Sequence, residues 1–262
     1  MTYTTLLFDV KDHVAHITLN RPEALNAINL EWSRDLMHAI LRCDEDPEIK
    51  AVLISAAGSH FCAGGDLKAF LAHIDHLPSH IKEVTTYFHA AISRMVRMDP
   101  PVIAAVHGYA VGAGMSLALA CDILLAAPSA RFSVAYTRVG LTPDGSMSYF
   151  LPRTVGLKRA LELTLTNRML TAEEASALGI VTRVIPEEEL LAKARELALQ
   201  LAQGPLKSFG AAKRLMRTGG NETLETQMEE ESQTIAAITR TRDTREGIAA
   251  FVEKRKPSYR GE

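Results

Sequence analysis

A chain of 262 residues, 47% hydrophobic and 23% charged, has the composition of an ordinary globular protein and is long enough for one large domain or two small ones. Its formal net charge of -2 and isoelectric point near 6.5 give no global positive field, which excludes electrostatic capture of nucleic acid or of an anionic membrane. Cys43, Cys62 and Cys121 form no CxxC pair, so neither a disulfide framework nor a zinc knuckle is indicated, and a reducing compartment fits best.

The first residues, Met1 to Asp12, lack the basic stretch and apolar run of a secretory signal. Apolar segments are broken by Gly, Pro or Asp well before the roughly 18 residues a membrane span needs, so a cytoplasmic location with no membrane partner is expected. From Val14 to Leu19 the side chains alternate with a period of two, predicting a strand that ends at Asn20-Arg21-Pro22. Asn29 is placed to cap a helix whose stripe is Leu36, Met37, Ile40 and Leu41 and which stops at Asp44-Glu45-Asp46-Pro47. Ala51 to Ser55 then suits a buried strand.

The segment Ser59 to Lys68 contains the turn Ala63-Gly64-Gly65-Asp66, in which glycines allow close backbone approach and Asp66 can cap a helix starting at Leu67. A plain strand-to-helix turn is the competing reading. His73, His76 and His80 have helical spacing, but Pro78 is expected to interrupt that helix and leave a lid-like segment, with Phe70, Leu71 and Leu77 lining an apolar pocket; no metal is expected.

The order repeats further on, with a strand from Val102 to Val106, a turn from Gly108 to Gly114, a helix from Met115 to Ala120 and a strand from Ile123 to Ala126. Small residues at 112, 113 and 114 leave helix N-terminal amides unshielded, which suits a developing oxyanion. This is not a dinucleotide fingerprint, since Leu117 stands where the third glycine belongs. The alternation predicts α/β architecture with buried parallel strands. Thr171-Ala172-Glu173-Glu174 reads as a capping box with Gly179 as its stop, and three helices follow over 206–217, 223–239 and 244–254. Met228, Ile235 and Ile238 mark an apolar stripe for self-association or for packing on the core.

Taken in order, Ile17-Thr18-Leu19-Asn20-Arg21-Pro22, Leu25-Asn26-Ala27, Ala63-Gly64-Gly65-Asp66-Leu67, His107-Gly108-Tyr109-Ala110, Cys121-Asp122-Ile123, Val139-Gly140-Leu141 and Phe251-Val252-Glu253-Lys254-Arg255 closely resemble the crotonase superfamily, the enoyl-CoA hydratase/isomerase family. That resemblance implies a spiral of ββα units over 1–200 and a helical trimerisation region over 201–262. It also implies an acyl-CoA substrate, no separate cofactor because coenzyme A is part of the substrate, and assembly as a homotrimer or dimer of trimers. It carries two oxyanion donors onto the amides of Gly65 and Ala113. Ala24, Leu25, Ala63, Asp66 and Leu67 are implied in holding adenine and pantetheine, and Phe251 and Lys254 in approaching the nucleotide from a neighbouring subunit.

Hydratases of this family carry two glutamates whose positions here are Ser116 and Tyr136, so the two carboxylates that serve simple hydration are absent. These two residues are expected to fill the pocket, or else to orient substrate or water through their hydroxyls. The acid that remains is Asp144, in Leu141-Thr142-Pro143-Asp144-Gly145, at a position where an acid shuttles the proton in double-bond isomerases of the family. One carboxylate suffices for a 1,3 shift. The competing reading makes Asp144 the start of a Pro-Asp-Gly turn. The expected function is therefore an acyl-CoA isomerase working through an enolate. A hydratase, an Asp144 nucleophile acting on an aryl carbon and a catalytically silent acyl-CoA-binding scaffold are the alternatives.

Overall fold

The computed structural model describes residues 3–262. The chain opens with a hairpin of β1 (Leu6–Lys11) and β2 (Val14–Leu19), whose turn residues Asp12 and His13 both adopt positive φ, 51° and 64°. After α1 (Leu30–Glu45), strand β3 (Ala51–Ala56) pairs in parallel with β2, Val14 opposite Ala51 and Ile17 opposite Ile54. Asn29 caps α1 by accepting from Trp32 N at 2.9 Å, which places the apolar stripe of Trp32, Leu36 and Ile40 inward.

Next come α2 (Leu67–Ala72) and α3 (Leu77–Met95). The segment expected to be a lid is thus helical. Pro78 sits in the first turn of α3 instead of interrupting it, where its missing N–H removes no hydrogen bond. His73 and His80 stack ring on ring, 4.1 Å apart, and among the described residues no group of three or more His, Cys, Asp or Glu is arranged to hold a metal ion.

Strand β4 (Val102–Val106) enters the sheet beside β3. The following turn differs from expectation: Tyr109–Val111 forms a short strand, β5, and the helix α4 (Ala113–Ala120) begins two residues early, immediately after Gly112. Then β6 (Ile123–Ala126) returns to the main sheet, and β7 (Arg131–Ser133) pairs in parallel with β5. Helices α5 (Met147–Val155) and α6 (Leu157–Thr166) lead to β8 (Leu170–Thr171), α7 (Ala172–Ala177), β9 (Arg183–Val184) and α8 (Leu190–Ala202). The capping box at Thr171 and Glu174 is formed, and Gly179 ends that helix at φ 78°.

Two sheets result, ordered β1-β2-β3-β4-β6-β9 and β5-β7-β8. Twice in succession the chain lays a strand in the larger sheet and then a short one in the smaller, as β4–β5 and β6–β7; α4 follows the first of these pairs. This is the α/β spiral expected from the sequence. Buried Ile17, Ile54, Ala104 and Leu124 face Trp32, Leu36, Phe88 and Met115 on one side of the main sheet. Leu53, Ile103 and Leu125 face Leu190, Ala194 and Ala198 of α8 on the other. Strands buried on both faces read as continuous apolar runs, as these do.

The chain ends with α9 (Leu206–Thr218), α10 (Leu224–Ile238) and α11 (Arg242–Val252). Asp122 ties α9 to the core: it accepts from Val102 N at 2.8 Å and pairs with Lys213 at 2.7 Å and Arg217 at 2.8 Å. No residue of α10 is buried, and Leu224, Met228 and Ile235 are exposed.

Candidate active site

Two glycine turns meet between the sheets. Ile28 N donates to Gly64 O at 2.7 Å and Asp66 N donates to Ile28 O at 2.9 Å, pinning the backbone on either side of Gly65. Alternation along this extended segment leaves the Gly65 N–H pointing the other way, with no acceptor among the described residues. In the second turn Gly112 N donates to Ser133 O at 3.0 Å, while Ser116 N donates to Gly112 O at 3.0 Å to start α4. Ala113 N, the first amide of that helix, likewise has no acceptor among the described residues. It carries the partial positive charge of the helix N-terminus.

The turns approach as closely as they do because they lack side chains. A Cβ on Gly64, whose φ is 96°, would lie 2.9 Å from Val111 O and 3.6 Å from Ala113 N, and one on Gly114 would collide with the carbonyl oxygen of Cys62.

Both unpaired amides open into one cavity of about 320 Å³. Its walls are mainly apolar, with Ile28, Leu67, Phe70, Val84, Phe88 and Leu141 prominent. A cavity of this size and lining, with few polar groups, is typical of a small-molecule site. Ala63 and Tyr136 also line it, and Asp144 is its one carboxylate.

Asp144 is held by the two residues at the missing glutamate positions. The Tyr136 hydroxyl donates to Asp144 Oδ1 at 2.6 Å, and Ser116 Oγ lies 2.9 Å from the Tyr136 hydroxyl and 2.9 Å from Asp144 O. Ser116 and Tyr136 therefore do more than occupy space: their hydroxyls are bonded to each other and to Asp144. Burial, and then the negative charge of Asp144, push the Tyr136 phenol well above its ordinary pKa, so it remains a donor throughout the working pH range. Oδ1 thus carries the Tyr136 hydrogen bond, while Oδ2 accepts none among the described residues. The side chain of Asp144 is 28% exposed, between a core residue and a free surface acid.

Sequence reasoning missed His89. Its Nε2 lies 3.5 Å from Asp144 Oδ2 and accepts from Gly145 N at 3.2 Å. It belongs to α3, 55 positions from Asp144, and no local motif marks it.

The remaining expected residues are placed as follows. Asp66 is occupied structurally, accepting from Ala69 N at 3.1 Å as helix cap and pairing with Arg21 at 3.1 Å, and its side chain lies outside the cavity lining. Leu25 O accepts from Ala63 N at 3.1 Å, so Ala24 and Leu25 lie beside the first glycine turn without lining the cavity. Phe251, 85% exposed, and Lys254, at φ 56°, are not brought to the cavity by this chain. Cys62 and Cys121 are buried, and burial pushes the Cys62 thiol up to about 12, so both are packing residues and not nucleophiles.

Comparisons with known proteins agree with this geometry. The family model for enoyl-CoA hydratase/isomerase matches residues 9–262. A probable enoyl-CoA hydratase of Rhodobacter capsulatus is 35% identical over 261 residues, covering 100% of each chain. A 1,2-epoxyphenylacetyl-CoA isomerase of Escherichia coli is 36% identical over 259 residues, 98% of each. The crystal structure of an enoyl-CoA hydratase/isomerase from Cupriavidus metallidurans superposes with a TM-score of 0.92 at 36% identity, covering 100% of this chain and 98% of that one. A match over nearly the whole length, joined to paired backbone donors at the head of a small apolar cavity, makes this chain a member of the enoyl-CoA hydratase/isomerase family, an enzyme acting on acyl-CoA.

Proposed function

We propose that the enzyme is an acyl-CoA isomerase that moves a double bond, or rearranges a related acyl group, through an enolate. The observation that carries this reading is the pairing of two unengaged amides, Gly65 and Ala113, with a single carboxylate, Asp144, in one cavity. The thioester oxygen gains charge only as the neighbouring carbon loses its proton, so fixed amides bind the enolate better than the ground-state carbonyl. Asp144 Oδ2 takes the proton from one carbon and returns it to another. Hydration would need a second acid or base to activate water, and its usual positions hold Ser116 and Tyr136, whose hydroxyls are already engaged with Asp144.

On this reading Ala63 and Leu67 contact the pantetheine arm, and Ala24 and Leu25 lie towards the adenine. Phe251 and Lys254 approach the nucleotide from a neighbouring copy, and residues 201–262 form the self-association region. The exposed Leu224, Met228 and Ile235 of α10 support that last assignment.

The test is incubation with 3-enoyl-CoA, dienoyl-CoA and 1,2-epoxyphenylacetyl-CoA. A rearranged product, lost in Asp144→Asn, is expected; net addition of water, or full activity in that variant, overturns the reading. Oxygen-18 appearing in Asp144 after a single turnover in labelled water would instead identify an aspartyl ester and a nucleophilic role.

A further inference from the structure

A second cavity, of about 590 Å³, lies behind the first, lined by Ile92, Val96, Gly145, Ser146 and Tyr149, with His89 at its wall. Successive residues divide between the two cavities at two places. On α3, Phe88 faces the acyl cavity and His89 the rear one; in the following loop, Asp144 faces the acyl cavity and Gly145 the rear one. The His89 side chain, half exposed, lines the rear cavity while its Nε2 lies 3.5 Å from Asp144 Oδ2 of the acyl cavity.

We propose that His89 is a proton relay through which the proton taken up by Asp144 exchanges with water of the rear cavity. This rests on the reading of Asp144 as the proton shuttle. Gly145 N donates to His89 Nε2 at 3.2 Å, so in this arrangement Nε2 presents its lone pair as an acceptor. When Asp144 has taken a proton from carbon, its Oδ2–H displaces the Gly145 N–H from that single lone pair. Transfer gives imidazolium and restores the carboxylate; the imidazolium then loses that same Nε2 proton to water of the rear cavity, and a solvent proton taken up at Nε2 and passed back to Oδ2 is delivered to carbon.

Arg97 just past the end of α3, Arg214 and Arg217 on α9, and Tyr149 on α5 line the same cavity. Arg214 is paired with Asp99 at 2.8 Å and Arg217 with Asp122 at 2.8 Å, while Arg97 donates to Ser93. Among the described residues Asp144 is thus the only carboxylate lining either cavity. Tyr136 closes Oδ1 at 2.6 Å, so return to carbon and exchange through His89 compete for the same oxygen.

The experiment measures deuterium entering carbon in heavy water, by mass spectrometry, with two probes: phenylacetyl-CoA, which exchanges without rearranging, and 3-hexenoyl-CoA, which reports exchange per isomerisation. His89→Gln keeps an acceptor for Gly145 N but cannot carry a proton. A drop of at least tenfold in wash-in relative to wild type is expected with both probes, with recovery in His89→Ala as added imidazole enters the rear cavity. Wash-in in His89→Gln equal to wild type, or no rescue by imidazole, overturns the relay. Wild-type wash-in that depends on His89 without any isomerised product keeps the relay and rejects the isomerase reading. Absence of both in wild type rejects the two together.

Discussion

Ala113→Pro isolates one of the two amides without touching a side chain. The first N–H of a helix has no intrahelical partner, and proline at that position is compatible with helical φ, so α4 keeps its Ser116 N to Gly112 O bond at 3.0 Å. A compatible substitution of this kind also narrows the unfolded ensemble, so thermal stability should hold or rise slightly. The enolate, by contrast, loses one of two donors. Removing one donor of an oxyanion hole raises a barrier by about 2.7–4 kcal/mol, or about 10²–10³ in kcat. The proline ring also faces the space where the oxygen sits, so the fall is expected at the upper end of that range. Ala113→Ser, which keeps the amide, serves as the control and should stay within about tenfold of wild type. Steady-state rates with the preferred thioester and melting curves for all three proteins provide the assay. A folded Ala113→Pro enzyme with wild-type kcat would refute the role given to this amide.

Gly114→Ala forces a methyl against the Cys62 carbonyl and drives the two glycine turns apart. A displacement of about 1 Å at reacting groups can cost about a hundredfold in rate, and that loss in kcat, exceeding what the change in melting temperature explains, is expected. Asp122→Ala leaves Lys213 and Arg217 uncompensated at a site only 13% exposed, which should cost about 3–5 kcal/mol in urea unfolding. Breaking the surface pair Arg159–Glu162 should cost under about 1 kcal/mol, and equal losses at the two sites would contradict the reasoning. Glu246 is held at about 2, below the usual 4.5, by hydrogen bonds from Arg255 and from Ser258 N. A depressed carboxylate contributes stability above its unfolded pKa and loses it as pH falls through its folded one. The difference in urea midpoint between wild type and Glu246→Gln should therefore shrink from pH about 4.5 down to about 2, and a pH-independent difference would argue against it.

Much of the framework was legible in sequence because it is written in local chemistry. The caps Asn29, Asp66 and Thr171 and the apolar runs of β2, β3 and β4 act within a few residues of where they stand. Features that depend on distant partners were not. The β1–β2 hairpin turns at Asp12-His13, without the glycine that usually signals positive φ, and β5, β7 and β8 are two or three residues long, too short to show a period. Pro78 has opposite meanings at the start and in the middle of a helix, and only the fold decides between them. At the site, the glycine turns and Asp144 could be found from motifs. The joint role of Ser116 and Tyr136 and the presence of His89 arise where α3, α4 and the loop before α5 converge, a convergence that no spacing along the chain encodes.

The most direct test of the enolate account is a crystal structure with a bound acyl-CoA. The account predicts the thioester oxygen at about 2.7–3.1 Å from both Gly65 N and Ala113 N, with the carbon next to it facing Asp144 Oδ2. A thioester oxygen bound elsewhere, or those two amides turned away and paired with protein acceptors, would contradict it.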